Sequence, residues 1–136
     1  TVVESPLKAA NLTFSHTKLE YGGILSVRLE LDLLEAVSGA VIRIPFYNNE
    51  GTVVAMWNSN TRGVAVNLPV GKSVVEINMG PMHLDSATYQ LALVLNDASG
   101  NSTLFWSLRN HEVSFGGKGH GGCEYQVASE YFRIHQ

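Results

Sequence analysis

Residues 25–33 read LSVRLELDL. Leu25, Val27, Leu29, Leu31 and Leu33 alternate with Ser26, Arg28, Glu30 and Asp32. A β-strand turns successive side chains to opposite faces, so this stretch has one apolar face and one polar face. On a helix, leucines two apart would wrap around the axis instead of forming a stripe. The stretch therefore reads as a strand half buried against a core.

The same grammar runs downstream. Ile42, Ile44 and Phe46 share one face of a strand over Val41–Tyr47, with Arg43 and Tyr47 on the other. Pro45 has no N–H for a ladder, which pushes this strand toward a sheet edge or a bulge. Asn48-Asn49-Glu50-Gly51 is a turn, and Thr52–Trp57 is the returning strand. Asn58–Gly63 is a polar loop and Val64–Val66 a short strand. Ser73–Met79 alternates again, with Val75 and Ile77 opposite Glu76 and Asn78. Thr88–Leu95 places Tyr89, Leu91, Leu93 and Leu95 on one face. Ser102–Leu108, Glu112–Phe115 and a long last strand over Tyr125–Ile134 complete the set.

Eight to ten strands with no convincing helix give an all-β fold. The expectation is a two-sheet antiparallel β-sandwich, with immunoglobulin-like or jelly-roll connectivity; an open barrel is the structural rival. The 136 residues suit one domain spanning 1–136. A chain of this size buries roughly two thirds of its unfolded surface, enough for a core of its own.

Composition narrows the function. Charged residues make up 15% of the chain, against about a quarter in a usual soluble domain, so the surface is built mainly from neutral polar groups. Nine basic residues lie scattered among twelve acidic ones, with no basic run, which argues against nucleic acid as a partner. No apolar stretch is long enough for a membrane-spanning helix. The start at Thr1, without a basic and apolar leader, hints at a processed protein or an excised fragment. Cys123 is alone, so no intrachain disulfide forms, which mildly favours a reducing compartment. Asn11 and Asn101 head glycosylation-like triplets of a kind that arises often by chance.

Catalytic signatures are few. FGGKGHGGCEY, residues 115–125, is rich in glycine, but Lys118 is followed by Gly119 rather than Ser or Thr, and no helical pattern follows. It is no phosphate loop. His120 and Cys123 are too few for a closed metal site, and the spacing of His16, His83, His111 and His135 recruits no others. No metal or cofactor is expected. There is no G-x-S-x-G element for a serine nucleophile. Glu30 and Glu76 are an imaginable carboxylate pair for a small glycan-active enzyme.

The polar faces are better suited to binding. Arg28, Glu30, Arg43, Tyr47 and Gln90 fall on outward phases of their strands, and Trp57 or Trp106 offers an aromatic face. A sugar presents an apolar C–H face and a rim of hydroxyls, which aromatic rings and fixed planar polar groups match. These seven residues are the expected carbohydrate contacts, lining a shallow groove on one sheet. Leu104 and Leu108 share the phase of Trp106, which argues for the core there, whereas Trp57 ends a strand beside a polar loop.

Two passages carry a family resemblance: IRIPFYNNEGTVVAMWNSNTRG at 42–63 and LPVGKSVVEINMGPMHLDSATYQLALVLNDASG at 68–100. A late Val113-Ser114-Phe115 strand and a glycine-containing loop precede the final strand. This order resembles the C-terminal domains of Wzt, the nucleotide-binding subunits of ABC transporters that export O-antigen polysaccharide. Ala87 stands where that family often has Gly. The resemblance implies a non-catalytic carbohydrate-binding β-sandwich that recognises the finished end of the export polymer. It also implies a homodimer that exchanges a C-terminal strand, a transmembrane transporter subunit as partner, and a place at the cytoplasmic face of the bacterial inner membrane. In that reading Gly116–Gly122 is the connector to the exchanged strand. The other classes are a structural or protein-interaction sandwich and the small enzyme already named.

Overall fold

A computed structural model describes residues 7–20, 22–62, 66–80, 87–98, 103–107, 111–116, 125–126 and 129–135. Two segments precede the decisive stretch, β1 (Leu7–Phe14) and β2 (Lys18–Glu20). Then come β3 (Leu25–Leu33), β4 (Val37–Tyr47), β5 (Val53–Asn58), a 3-10 turn at Ser59–Arg62, and β6 (Val66–Leu68). The second half holds β7 (Gly71–Met79), β8 (Ala87–Leu91), β9 (Val94–Asn96), β10 (Thr103–Trp106) and β11 (His111–Gly116). It ends with β12 (Tyr125–Gln126) and β13 (Ser129–His135).

These strands form two unequal sheets. The smaller has the order β1-β3-β7-β13, all antiparallel. The larger has β4 at its centre, with β5 and β6 on one side, β8 and β9 on the other, β10 and β11 beyond those, and β2 and β12 at its margins. Two short pairings, β2 with β11 and β5 with β12, are parallel, so the all-antiparallel expectation is corrected there. The expected single last strand is two pieces, which serve the margins of different sheets. The glycine connector at 117–122 lies outside the described residues.

The inner faces of both sheets feed one core. Leu25, Leu29 and Val75 come from the smaller sheet, and Ile42, Ile44, Phe46 and Leu91 from the larger; all are fully buried. β3 alternates buried and more exposed positions along its whole length, as its sequence demands. β1 carries only a weak alternation, on Ala10, Leu12 and Phe14, each only partly buried at a sheet margin.

Pro45 does not mark an edge. β4 is flanked on both sides, and the register against the 87–96 segment is the same on either side of the proline: Arg43 faces Val94, and Phe46 faces Leu91. The Ala92 N–H still donates to the Pro45 carbonyl at 3.3 Å. The missing N–H removes only the reciprocal bond of that pair. β8 and β9 are thus one strand, interrupted by a single absent donor.

The Asn48–Gly51 turn forms as its residues require. Asn48 Oδ1 accepts the N–H groups of Glu50 and Thr52, each at 3.0 Å, and Gly51 takes φ 79°. Among the described residues no helix is long and apolar enough to cross a membrane.

Gly80 closes β7 at φ 139°, where a Cβ would stand 2.8 Å from the Gly23 carbonyl oxygen. Gly80→Ala is expected to destabilise the domain by roughly 1–3 kcal/mol, through both the forbidden φ and the clash. Urea unfolding checks this; an unchanged midpoint would contradict the packing of Gly80 on Gly23.

Candidate functional site

Register decides which polar residues meet. On the outer face of the larger sheet, Asn58 of β5 pairs with Arg43 of β4, Arg43 with Val94 of β9, and Val94 with Trp106 of β10. These four form one row across the strands. A second row runs Tyr47, Gln90, Glu112 across β4, β8 and β11. Met56 pairs with Pro45 between the rows. Arg43, Tyr47, Gln90, Met56 and Asn58 are all half-buried, forming a floor of planar and apolar groups.

Trp106 stands on this face with 58% of its surface exposed. Its phase relative to Leu104 pointed inward, and the structure supplies the reason it does not. The β9–β10 ladder shifts register between Thr103 and Phe105. The extra residue turns Trp106 toward the side of Val94, the kind of re-aiming that bulges produce. Leu104 and Phe105 pack on the core instead.

Trp57 is the reverse case. It is fully buried, among the largest core side chains, between half-buried Met56 and Asn58. It supports the sheet from beneath and presents no surface to a ligand.

Arg43 is fixed in place. Its Nη2 donates to Asn96 Oδ1 at 2.8 Å, and Asn96 Nδ2 donates to Thr103 Oγ1 at 3.2 Å. Asn96 is only 4% exposed. A buried amide committed at both ends is a rigid support. Arg43 Nε is itself buried without a partner among the described residues.

Arg28 and Glu30 lie elsewhere. They project from the outer face of the smaller sheet, on the opposite side of the core, so the expected groove divides in two. Arg28 Nε and Glu30 Oε1 are 3.6 Å apart, with about half of each side chain exposed. Shallow hollows of about 460 and 210 Å³ cross this face, the larger beside Asn11, Glu30, Asp32 and Lys72, the smaller beside Thr13, Arg28, Glu76 and Asn78. Volume alone does not make them the better site. The smaller one has half-buried Phe14 in its lining, a ring already stacked on His111, and the charges of both sit beside opposite charges: Asp32 pairs with Lys72 in register, and Arg28 with Glu76.

Glu30 and Glu76 stand diagonally on adjacent strands of this face, since Arg28 faces Glu76 and Glu30 faces Val74. They are neighbours with Arg28 between them. Glu30 sits in a solvated ion pair, unlike the apolar pocket in which a glycosidase keeps its general acid. Among the described residues no three His, Cys, Asp or Glu side chains gather as a metal site.

No protein-family model matches the sequence, and no curated protein matches it. A crystal structure of the C-terminal domain of Wzt is similar to it, with a TM-score of 0.70. The match covers 93% of this chain and 81% of that one, at 12% identity. At that identity the likeness is one of fold.

The two tryptophans are expected to differ sharply. Trp57→Ala should cost about 3–5 kcal/mol of stability, as large-to-small changes in a packed core do, and Trp106→Ala less than about 1 kcal/mol. Denaturant unfolding of both variants measures this. Acrylamide should quench Trp106 fluorescence far more than Trp57; equal quenching would refute their assignment to opposite sides of the sheet.

Proposed function

We propose that this chain is a non-catalytic carbohydrate-binding domain whose binding surface is the outer face of the larger sheet. Trp106 carries this reading. An exposed indole, turned outward by a bulge and aligned with Arg43 and Asn58, is a platform for the apolar face of a sugar ring. An indole joins a large apolar face to one polar N–H, which matches a sugar's C–H face and hydroxyl rim. The Tyr47–Gln90 pair supplies planar polar groups one row away. Neutral amides and a phenol suit hydroxyl groups, and a buried or clamped donor left unpaired penalises the wrong sugar.

The ligand in this reading is a bacterial O-antigen polysaccharide, recognised at its finished end as the export substrate of an ABC transporter. The chain would act as the C-terminal part of the nucleotide-binding subunit, at the cytoplasmic face of the inner membrane and beside the transmembrane subunit. The fold shared with the Wzt domain and the sequence resemblance support that ligand class. The proposal includes a homodimer in which β13 of each copy completes the other's β7 ladder, an exchange that reuses contacts a single chain already makes.

Saturation-transfer NMR with O-polysaccharide from the chain's own source, against polysaccharide from an unrelated strain, tests the reading. Selective transfer from the cognate polymer is expected. Trp106→Ala should weaken binding about tenfold or more, which is about 1.4 kcal/mol. Arg28→Ala and Glu30→Ala, on the far side of the core, should leave affinity within about twofold. The reverse ranking would move the site to the smaller sheet.

Sedimentation velocity tests the dimer separately. A concentration-dependent dimer is expected; monomer alone at high concentration would rule the exchange out.

A further inference from the structure

We infer that the glycan bound on this face carries a carboxylate, which lands on Arg43 while a neighbouring sugar stacks on Trp106. The inference rests on the reading of this face as a glycan site.

Its starting point is a charge without a counter-charge. Among the described residues Arg43 makes no ion pair; its guanidinium is held by Asn96, a neutral amide. Asn96 is in turn tied to Thr103. The guanidinium is therefore oriented without its charge being cancelled. Arg28 shows the contrast, lying 3.6 Å from the Glu30 carboxylate. Within the second row of this face the acidic group is Glu112, which faces Gln90, and Gln90 faces Tyr47, four positions along β4 from Arg43. That is about 13 Å of strand, too far for a contact pair.

Holding a half-buried cation by a neutral group leaves part of its desolvation uncompensated. A ligand carboxylate supplies the missing charge and fits the planar fork of a guanidinium with two parallel hydrogen bonds. One cation matches one carboxylate charge. A phosphate monoester carries about −1.5 to −2 and would stay under-neutralised here.

The row also sets the direction of the ligand. Arg43 and Trp106 sit two strand spacings apart, about 9.6 Å, with Val94 as an apolar floor between them. Adjacent residues of a polymer crossing the strands reach both groups. A polymer lying along the strands reaches only one.

The test uses the same O-polysaccharide in three forms: native, carboxyl-reduced so that uronic acids become neutral hexoses, and phosphatase-treated. Affinity is measured by titration calorimetry with the unaltered chain, Arg43→Gln, Arg43→Lys and Trp106→Ala. Carboxyl reduction and Arg43→Gln should each weaken binding about tenfold or more, and together no further than either alone. Arg43→Lys should retain part of the preference for the native form. Trp106→Ala should weaken native and reduced polymer by the same factor. Phosphatase treatment should change nothing. Equal binding of native and reduced polymer, or sensitivity to phosphatase in place of reduction, overturns the carboxylate and leaves the glycan site standing. Failure of every form to bind overturns both. The comparison of native with reduced polymer on the unaltered chain needs no variant, so it holds even if substitution at Arg43 disturbs folding.

Discussion

β4 holds the larger sheet together, and its hydrogen-bond ladder survives a proline. Four strands pair with it, β5 and β6 on one side and β8 and β9 on the other. Pro45 deletes one donor from the inner ladder but leaves the register unchanged across the gap. Had the chain slipped by one residue there, every side chain beyond would have changed face. Arg43 and Tyr47 would then point to opposite sides of the sheet. Arg43 and Tyr47 share the outer face because the register is kept across the missing hydrogen bond.

The second constraint on that surface is the bulge in β10. Inserting one residue at Leu104 places Phe105 against Leu95 and Trp106 against Val94. The core gains Phe105 while the outer face gains an indole. Bulges cost ladder hydrogen bonds and bend the strand, which is how this one re-aims the two aromatic side chains.

Much of the fold was legible because alternation is strict wherever a strand is buried on one face. β3 and β7 could be read by their alternation, and in the 87–96 segment Tyr89, Leu91, Leu93 and Leu95 are buried as expected, but Ala92 and Asn96, placed in no core by their phase, are buried too. Three things were not legible. Trp57, grouped with Trp106 as an aromatic contact, is a core residue, and Trp106 is exposed although its phase with Leu104 argues for the core, because strand phase predicts burial only while the strand stays regular, and β10 does not. Pro45 points to an edge or a bulge; the β5 ladder does shift register just beyond it, between Phe46 and Tyr47, but the strand is no edge, because local chemistry shows a missing donor and not whether the pairing can spare it. Arg28 and Glu30 were grouped with Arg43 and Tyr47, because phase tells which side of a strand faces away from the core but not which sheet the strand joins. That last distinction is non-local: β3 pairs with β7 as far along the chain as Leu25 with Met79, and β4 pairs with β9 as far as Val41 with Asn96.

The C-terminal segment bears on both sheets at once. β12 lies along β5, at a margin of the larger sheet, and β13 lies along β7, at a margin of the smaller. Without them both strands would present unpaired N–H and C=O groups, which invite pairing with another chain. β7 is the greater liability, because all nine of its residues pair with β3 on its other side and hold it extended as a template. Its need is for a strand of the right register, and a copy of β13 from another molecule carries the same residues as its own. In the proposed dimer, the strand that seals the smaller sheet would be the one exchanged. The outer face of the larger sheet lies across the core from that seam, so a dimer formed through β13 would leave the Arg43–Trp106 row open to ligand.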